Sequence, residues 1–511
     1  MDSQGALYDY GKFKHLSPLV PKNKYGLLAA TIAVAIIEPS TLGMESSIMG
    51  SINSLEQYTA YFNLTDKTIN LNTASIWIGM LLAVPFIRRI TDGFGRKWAI
   101  MIAIGIMAIG VILSSASINI AMFIVGRIFL GLSSSIIFSA ASILVSEICP
   151  PDIRGVVLGL FHACYYIGSL VAAGVTYATR DIQSNWSWRI PTITQGVPTV
   201  LCGLLLIFCP ESPRWLMLKG KVDEAREIFY VMADRDAAAA EVLIEEVNSG
   251  IIEESKFANG LGLWKRQWQK PSNLRRAFIV ISLSMMSELG GSTIATYYFT
   301  ILLKQVGVTD TKTQLEVQII RSAWCFVVAC IGSYTFDIFG RKNQAMIATF
   351  FMALSLLILG GLVKKYNEDL DKSTGYGAIA MMFLFSGFYS VVCTPLTSLY
   401  PPEIYPNSTR VIGNSIFMIS AYGGGLFSTF VFSIGMSNIG WKFYMIVGGY
   451  DMIFIPIIYY VWVETKGLTL EKISELFGDE LSTSEADETT TESNPKLESV
   501  VVTYSGVQGV Q

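Results

Sequence analysis

This 511-residue sequence has few charged residues. Asp, Glu, Lys and Arg make up 15% of it, whereas hydrophobic residues make up 52%. A soluble globular protein keeps about a quarter of its residues charged. The formal net charge of −3 is too small to suggest nucleic acid, and the basic residues form short clusters beside apolar runs rather than one patch. The composition predicts a polytopic membrane protein with lipid around it and excludes a nucleic-acid partner.

Histidine is also scarce, since only His15 and His162 occur. The seven cysteines lie within or at the ends of apolar runs and include no CxxC pair. We therefore expect neither disulfides nor a metal site. The sequence contains no P-loop, no HExxH and no nucleophile with a base at motif spacing, so we expect no cofactor and no enzymatic activity.

The first 24 residues lack the apolar core of a signal peptide and are polar. We expect them to form a cytoplasmic N-terminal tail.

Long apolar runs dominate the rest of the chain. A bilayer core of about 30 Å requires about 20 apolar residues in a helix. Runs of this kind occupy residues 25–50, 72–90, 98–117, 119–146, 155–178, 189–208, 275–303, 316–335, 344–363, 376–399, 412–435 and 441–462. The sequence thus predicts an all-α membrane protein with twelve transmembrane helices.

The connections divide these spans into two groups of six. Residues 25–208 and 275–462 are the predicted bundles, and residues 209–274 are a polar central loop with short helices. The central loop is rich in Lys and Arg, which favours the cytoplasmic side for it and for both chain ends. Two sequons, at Asn63 and Asn185, lie in opposite connections and are predicted N-glycosylation sites. Residues 463–511 form a second cytoplasmic tail, acidic and Ser/Thr-rich for most of its length, for which we expect disorder.

Three short motifs occur once in each half. DGFGRK (92–97) returns as DIFGRK (337–342), SEICPPDIRG (146–155) as PPEIYPNSTRVIG (401–413), and PESPRWL (210–216) as VETKGL (463–468). Repeated halves are how many transporters build a central site with alternating access. We expect the acidic and basic residues of these motifs to pair when a cytoplasmic gate is shut. The predicted gate residues are Asp92, Arg96, Glu147, Arg154, Glu211, Arg214, Asp337, Arg341, Glu403 and Arg410.

These motifs resemble the sugar porter family of the major facilitator superfamily. The resemblance covers residues 43 to 475 and includes Gly126-Arg127 at the start of the fourth span and VETKGLTLEKI after the twelfth. The stretch GMESSIMGSINSLEQYTAYF looks closest to the fungal lactose-permease-like branch. The resemblance implies two pseudo-symmetric six-helix bundles around a central cavity, and uniport or proton symport of a small molecule.

Proton-coupled members of that family pair an acidic residue of the first span with an arginine of the fourth. Glu45 stands where the family usually has Asp, and Arg127 stands at the other position. The first span runs outward and the fourth inward, so both residues lie at similar depth, and charges inside a membrane favour pairing. We expect Glu45 and Arg127 to couple transport to protons.

A second carboxylate, Glu38, precedes Glu45 by seven residues, which places both on one helix face about 10 Å apart. Two interpretations stay open: a packing residue bonded to Ser or Thr neighbours, or a second proton site.

Familiar hexose porters carry Gln-Gln-x-x-Gly-x-Asn in the seventh span, followed by two tyrosines. Here the stretch reads SELGGSTIATYY, so that glutamate, serine and threonine replace the amides. His162 stands in the fifth span where glutamine is usual, and is either a packing residue or a substrate ligand. The predicted substrate-binding residues are His162, Ser287, Glu288, Thr293, Tyr297, Tyr298, Phe388, Tyr389 and Ser398.

Three hypotheses follow. The first is a monomeric, proton-coupled plasma-membrane carrier of a sugar or related polyol. The second keeps the fold but moves a specialised non-sugar metabolite, in either direction. The third, a non-transporting nutrient receptor, has no docking motif to support it.

Overall fold

The computed structural model describes residues 13–255, 260–406, 409–468 and 470–479. These residues form helices and connections, with no strand among them. The all-α prediction is confirmed.

Five long elements build the first bundle up to the fifth span. They are Lys24–Ile52, Asp66–Phe94, Arg96–Ser115, Ile120–Ile148, and the fifth span, which consists of Pro151–Ala163 and Tyr165–Thr179. The sixth span is divided at Gln195 into Trp186–Thr194 and Gly196–Leu206. A short helix, Glu56–Tyr61, precedes the second span.

The second bundle begins with a broken helix. The seventh span comprises Pro271–Ser287, a π-helical segment Glu288–Ser292, Thr293–Thr296 and Phe299–Gln305. The other five spans are continuous: Thr311–Phe339, Arg341–Asp369, Lys372–Ile404, Arg410–Ile439 and Trp441–Val461. In the described chain eleven helices are long and apolar enough to cross a membrane, and the divided sixth span completes twelve.

The connection between the bundles also contains helices. They are Pro213–Leu218, Val222–Met232, Ala237–Ser255 and Gly260–Gln269, and a last helix, Leu470–Leu476, follows the twelfth span. We call the end of the molecule that carries the central connection and the segments around residues 13–24 and 463–479 the terminal face.

Helix starts follow from local chemistry. Asp371 accepts backbone N–H bonds from Ser373 and Thr374 at 3.3 and 3.2 Å, which satisfies free donors at the start of the tenth span. These bonds stabilise the ionised carboxylate and hold the pKa of Asp371 below its ordinary value.

Glycine permits the tight crossings inside each half. A Cβ added at Gly43 would lie 1.8 Å from the carbonyl oxygen of Tyr165, and one at Gly168 would lie 1.7 Å from that of Ser40. The first and fifth spans therefore meet backbone to backbone, as small residues allow in membrane helices.

The two halves touch on both sides of the molecular centre. Ser51 donates to Gln318 at 3.2 Å on the side away from the terminal face. Ser139 lies 3.7 Å from the sulfur of Met418 towards the terminal face.

Candidate functional site

The centre of the first half holds a buried acid and a buried base. Glu45 is fully buried and Arg127 is 1% exposed. Arg127 donates from Nη1 to the main-chain oxygen of Glu45 at 2.8 Å, while the Glu45 carboxylate accepts from Ser134. The first and fourth spans thus bring the predicted pair together, but in this conformation guanidinium and carboxylate do not pair directly.

The guanidinium has spare donors. Nε and Nη2 of Arg127 have no hydrogen-bond partner among the described residues, and Oε1 of Glu45 has none either. Tyr297, a predicted binding residue, follows the short helix Thr293–Thr296 and is 4% exposed. Buried polar groups normally find partners, so these donors and this acceptor are available to bond one another or a bound molecule.

His162 meets Ser398 across the boundary between the halves. Its Nδ1 hydrogen-bonds the Ser398 hydroxyl, and its ring packs edge-on against Phe138 at 5.3 Å between centroids. One helical turn away, Tyr166 bonds Ser390 and Thr394 of the tenth span at 2.7 and 3.1 Å. These contacts join the fifth and tenth spans by polar bonds.

The seventh-span residues form a third group, within the second half. Ser287 bonds the Tyr389 hydroxyl at 2.9 Å, and Thr293 bonds Ser428 at 2.7 Å. Tyr298 donates to the Thr429 carbonyl at 2.7 Å. Glu288 begins the π-helical segment, in which Gly291 has a φ of +97° that favours glycine.

One predicted binding residue lies elsewhere. Phe388 stacks on Phe351 of the ninth span with ring centroids 4.9 Å apart and planes at 15°. Its ring therefore packs within the second half and does not join the central groups.

The sequence prediction did not single out Arg321 and Asp451, two charged residues that are buried within membrane spans. Arg321 of the eighth span is 4% exposed, and its guanidinium lies 5.3 Å from the ring centroid of Phe299. Asp451 of the twelfth span is fully buried, with both carboxylate oxygens lacking partners among the described residues. An intramembrane charge is a functional-site hypothesis by default, so their position inside predicted spans was the available signal.

Asp451 lies against the broken seventh span. A Cβ added at Gly290 would be 2.7 Å from its Oδ1. The carboxyl group therefore occupies the space that a side chain at Gly290 would need, beside the segment where the helix is unwound.

The terminal face of the first half carries an ionic network. Arg96 lies 3.2 Å from Glu147 and 3.6 Å from Asp92. Glu211 accepts the backbone N–H groups of Arg96, Lys97 and Ser212 at 2.8, 3.1 and 2.8 Å. Glu211 thus binds the start of the third span, where the helix dipole favours negative charge.

The second half repeats this network. Arg341 lies 3.0 Å from Glu403, and Glu464 accepts the N–H groups of Arg341 and Lys342 at 2.8 and 3.0 Å. Glu464 was not among the predicted gate residues, although VETKGL had been matched to PESPRWL. The alignment of VETKGL with PESPRWL could have indicated Glu464 as the counterpart of Glu211.

For the other predicted gate residues and for the two sequons, the structure gives the position along the chain and fewer side-chain contacts. Arg154 and Asp337 lie on helices, but their side chains are outside the described part of the structure. Arg214 and Arg410 lie at helix starts near the terminal face. Asn63 and Asn185 lie in the connections before the second and sixth spans, at the other end of the bundle.

A family model described as "Sugar (and other) transporter" matches residues 31–477. The high-affinity glucose transporter of Kluyveromyces lactis is 28% identical over 469 residues, covering 88% of this chain and 84% of its own. The arabinose-proton symporter of Escherichia coli strain K12 is 26% identical over 422 residues, covering 81% and 86%.

Solved structures share the fold. The proton:xylose symporter bound to 6-bromo-6-deoxy-D-glucose superimposes with a TM-score of 0.75 at 22% identity, covering 89% of this chain and 100% of that one. The inward-open conformation of the xylose transporter from E. coli gives 0.71 at 21% identity, covering 88% and 99%. The first of these belongs to the major facilitator superfamily, and the predicted twelve-helix major facilitator fold is confirmed.

Proposed function

Because this chain belongs to the sugar (and other) transporter family, we propose that it moves a sugar across a membrane together with a proton. Transport rather than catalysis is the activity of that family, and the protein is a multi-pass membrane protein. The names of two similar proteins, an arabinose-proton symporter and a proton:xylose symporter, support proton coupling.

One observation carries the proposal. Glu45, Ser134 and Arg127 form a hydrogen-bonded cluster, buried in the middle of apolar spans, where an unpaired charge is costly. In our mechanism protonated Glu45 bonds Ser134 and leaves Nε and Nη2 of Arg127 without a carboxylate partner. Loss of that proton gives a carboxylate that the free Nε and Nη2 donors of Arg127 attract, and the first and fourth spans shift relative to one another.

The substrate lies between the halves in this proposal. His162, Ser398, Ser287 and Tyr389 supply donors and acceptors for hydroxyl groups, and Glu288 adds a carboxylate beside them. A neutral polyol is recognised by many such bonds.

The terminal face is cytoplasmic in this proposal, and the protein works as a monomer in the plasma membrane. The Lys and Arg residues of the central connection support that orientation. It places Asn63 and Asn185 outside the cell, where they are available for glycosylation. The networks around Arg96 and Arg341 then close the cytoplasmic side and open when the bundles rock apart.

The test is uptake of labelled xylose, glucose and arabinose in yeast cells that lack their own sugar carriers, with and without a protonophore. Uphill accumulation that the protonophore abolishes is the expected result. Accumulation that is insensitive to the protonophore contradicts the coupling. Absence of uptake of all three, with the protein at the cell surface, contradicts the sugar assignment.

A second candidate is a carrier for a charged, non-sugar metabolite. Arg321 favours it, because a buried guanidinium near the centre matches a carboxylate better than a hydroxyl. Uptake of labelled small carboxylates, measured beside that of the labelled sugars, separates the two candidates. The variant Arg321→Gln should lose uptake of the carboxylates if the second candidate is right.

A further inference from the structure

A small cavity lies between Glu38 of the first span and Ser134 of the fourth. Thr41, Thr199 and Cys202 supply other polar atoms of its wall. The centre of a water molecule can occupy about 10 Å³ of it, which is close to the space needed by one water with two to four polar partners. Ser134 therefore faces this cavity while it also contacts Glu45.

The Ser134 hydroxyl has one proton and lies near two possible acceptors. Its oxygen lies within hydrogen-bond distance of the Glu45 carboxylate and of the Leu130 carbonyl, the latter at 2.8 Å. A hydroxyl has one proton, so Ser134 donates it either to Glu45 or to the Leu130 carbonyl. A protonated Glu45 allows both contacts at once, because it donates to Ser134 Oγ while Ser134 donates to Leu130.

Glu38 lies on the same helix face as Glu45, seven residues and about 10 Å closer to the terminal face. It is 2% exposed, and its Oε2 has no partner among the described residues. The titratable groups that act on it are Glu45 on its own helix, Cys202 on the sixth span and Tyr422 on the eleventh.

The fourth span contributes its one nearby cation, Arg127, to Glu45 rather than to Glu38. A buried carboxylate without a counter-ion is costly, so binding a proton is the way to neutralise Glu38.

We propose that Glu38 is a second proton-binding site, joined to Glu45 through Ser134 and one water in the cavity. The proton leaves Glu45 Oε2 for Ser134 Oγ as the Ser134 hydroxyl proton passes to the water, and a water proton passes to Glu38. One proton moves, no bond between heavy atoms changes, and the serine and the water are restored. The proposal rests on the proton coupling proposed above and gives the proton a route towards the terminal face.

The first test needs no substrate. Infrared spectra of the purified full-length protein are recorded for the wild type, Glu38→Gln, Glu45→Gln and the matched control Thr31→Val, a buried polar position on the same helix seven residues before Glu38. Titration from about pH 5 to 9 follows the protonated-carboxyl band. We expect each Gln variant to remove a separate part of the band and Thr31→Val to remove none. A Glu38→Gln spectrum identical to the wild type overturns the proposal.

The second test measures transport of labelled xylose. Glu38→Gln should lower uphill accumulation at least tenfold and leave sugar exchange within about twofold, because exchange needs no net proton movement. Ser134→Ala should also lower accumulation, because Ser134 contacts Glu45 and lines the cavity. Glu38→Asp should restore part of the accumulation. If Glu38→Gln fails to reach the membrane, Ser134→Ala tests the same link with both carboxyl groups in place.

The outcomes separate the two proposals. A wild type that accumulates xylose beside an equally active Glu38→Gln overturns the second proton site and leaves proton-coupled transport standing. A wild type that takes up no sugar contradicts the proposed function, and the infrared titration then decides the second site by itself.

Discussion

The two halves of this protein match at the terminal face and differ at the centre. At the face, Gly95, Arg96, Glu147 and Glu211 have the same arrangement as Gly340, Arg341, Glu403 and Glu464. Even the backbone agrees, with φ and ψ of +101° and 167° at Gly95 and of +86° and 161° at Gly340.

The centres contain different chemistry. The first half has the carboxylates Glu38 and Glu45 on one helix face, with Arg127 bonded beside the second of them. The second half has Glu288 at a helix break, and Asp451 with no hydrogen-bond partner within the described residues. In the proposed function the common parts serve the movement of the bundles, the proton site belongs to the first half, and the second half supplies most of the substrate-binding residues.

The largest expected effect separates those two roles. Glu45→Gln should abolish uphill accumulation and leave exchange intact, because the proton site is lost. Glu288→Gln should keep accumulation and raise the substrate KM, because it alters the binding group alone. Protonophore-sensitive uptake and KM measurements check both. The division of roles is wrong if Glu288→Gln removes coupling and Glu45→Gln does not.

The next prediction concerns the matching glycines. A Cβ at Gly95 would lie 2.3 Å from Oε2 of Glu211, and one at Gly340 would lie 2.5 Å from Oε2 of Glu464, both at positive φ. Gly95→Ala and Gly340→Ala should each destabilise the protein by about 1 to 3 kcal/mol, seen as a lower thermal midpoint in detergent.

Gly93 is the matched control for these two variants. It is helical, and a Cβ there meets nothing within 4 Å. Gly93→Ala should raise stability slightly, by up to about 1 kcal/mol, because alanine favours the helix. Equal losses at positions 93 and 95 would contradict the steric explanation.

A comparable effect is expected when the matching carboxylates lose their charge. Glu211→Gln and Glu464→Gln each replace one acceptor oxygen by an amide nitrogen, which leaves a backbone N–H group unpaired at a cost of about 1 to 3 kcal/mol. Both variants should favour the conformation open at the terminal face. Accessibility of a cysteine introduced at Ser139 to a membrane-impermeant thiol reagent measures this, with the native cysteines replaced. If only one of the two variants opened, the two networks would not act alike, and the prediction would be wrong.

The smallest effect is a pH dependence confined to the second half. Asp479 pairs with the buried Arg276 at 2.6 Å. Partial burial acts to raise its pKa, but the bonds from Arg276 and Ser272 hold that pKa below its ordinary value. The pair therefore stabilises the fold above the unfolded pKa of about 4 and loses that effect as the pH falls through the lower, folded value.

Asp479→Asn should consequently lower stability at pH 7 by about 1 kcal/mol, and the difference from wild type should shrink as the pH falls below about 4 and disappear below the folded pKa. Thermal midpoints measured across that range check it. A difference that is independent of pH would show that the Asp479 charge has no part in it.

Helix existence followed from the sequence because apolar runs of membrane length have few alternatives to a helix. Helix ends were less predictable: the second span extends from residue 66 to 94 rather than 72 to 90, since polar turns at its ends still continue the helix. The sixth span is divided at Gln195, and the seventh has a π-helical segment at Glu288. Both features depend on neighbouring spans, and no periodicity in the sequence indicates them.

The family resemblance and the similar depth of the two residues placed Glu45 beside Arg127, and the spans do bring them together. It could not place Phe388, whose ring direction depends on the rotation of its helix. Arg321 and Asp451 could have been noted as charges within spans, but only the structure shows which residues of other helices lie beside them.

By itself the sequence determined the membrane environment, the twelve spans, the two repeated halves and the resemblance to sugar porters, because these depend on composition and on residues close together in the chain. Only the tertiary structure decided that Ser134 connects Glu45 to a cavity at Glu38, that Glu464 matches Glu211, and that Asp451 faces Gly290. Those contacts join residues up to about 160 positions apart, and the rotation and depth of each helix are fixed by packing against its neighbours rather than by its own residues.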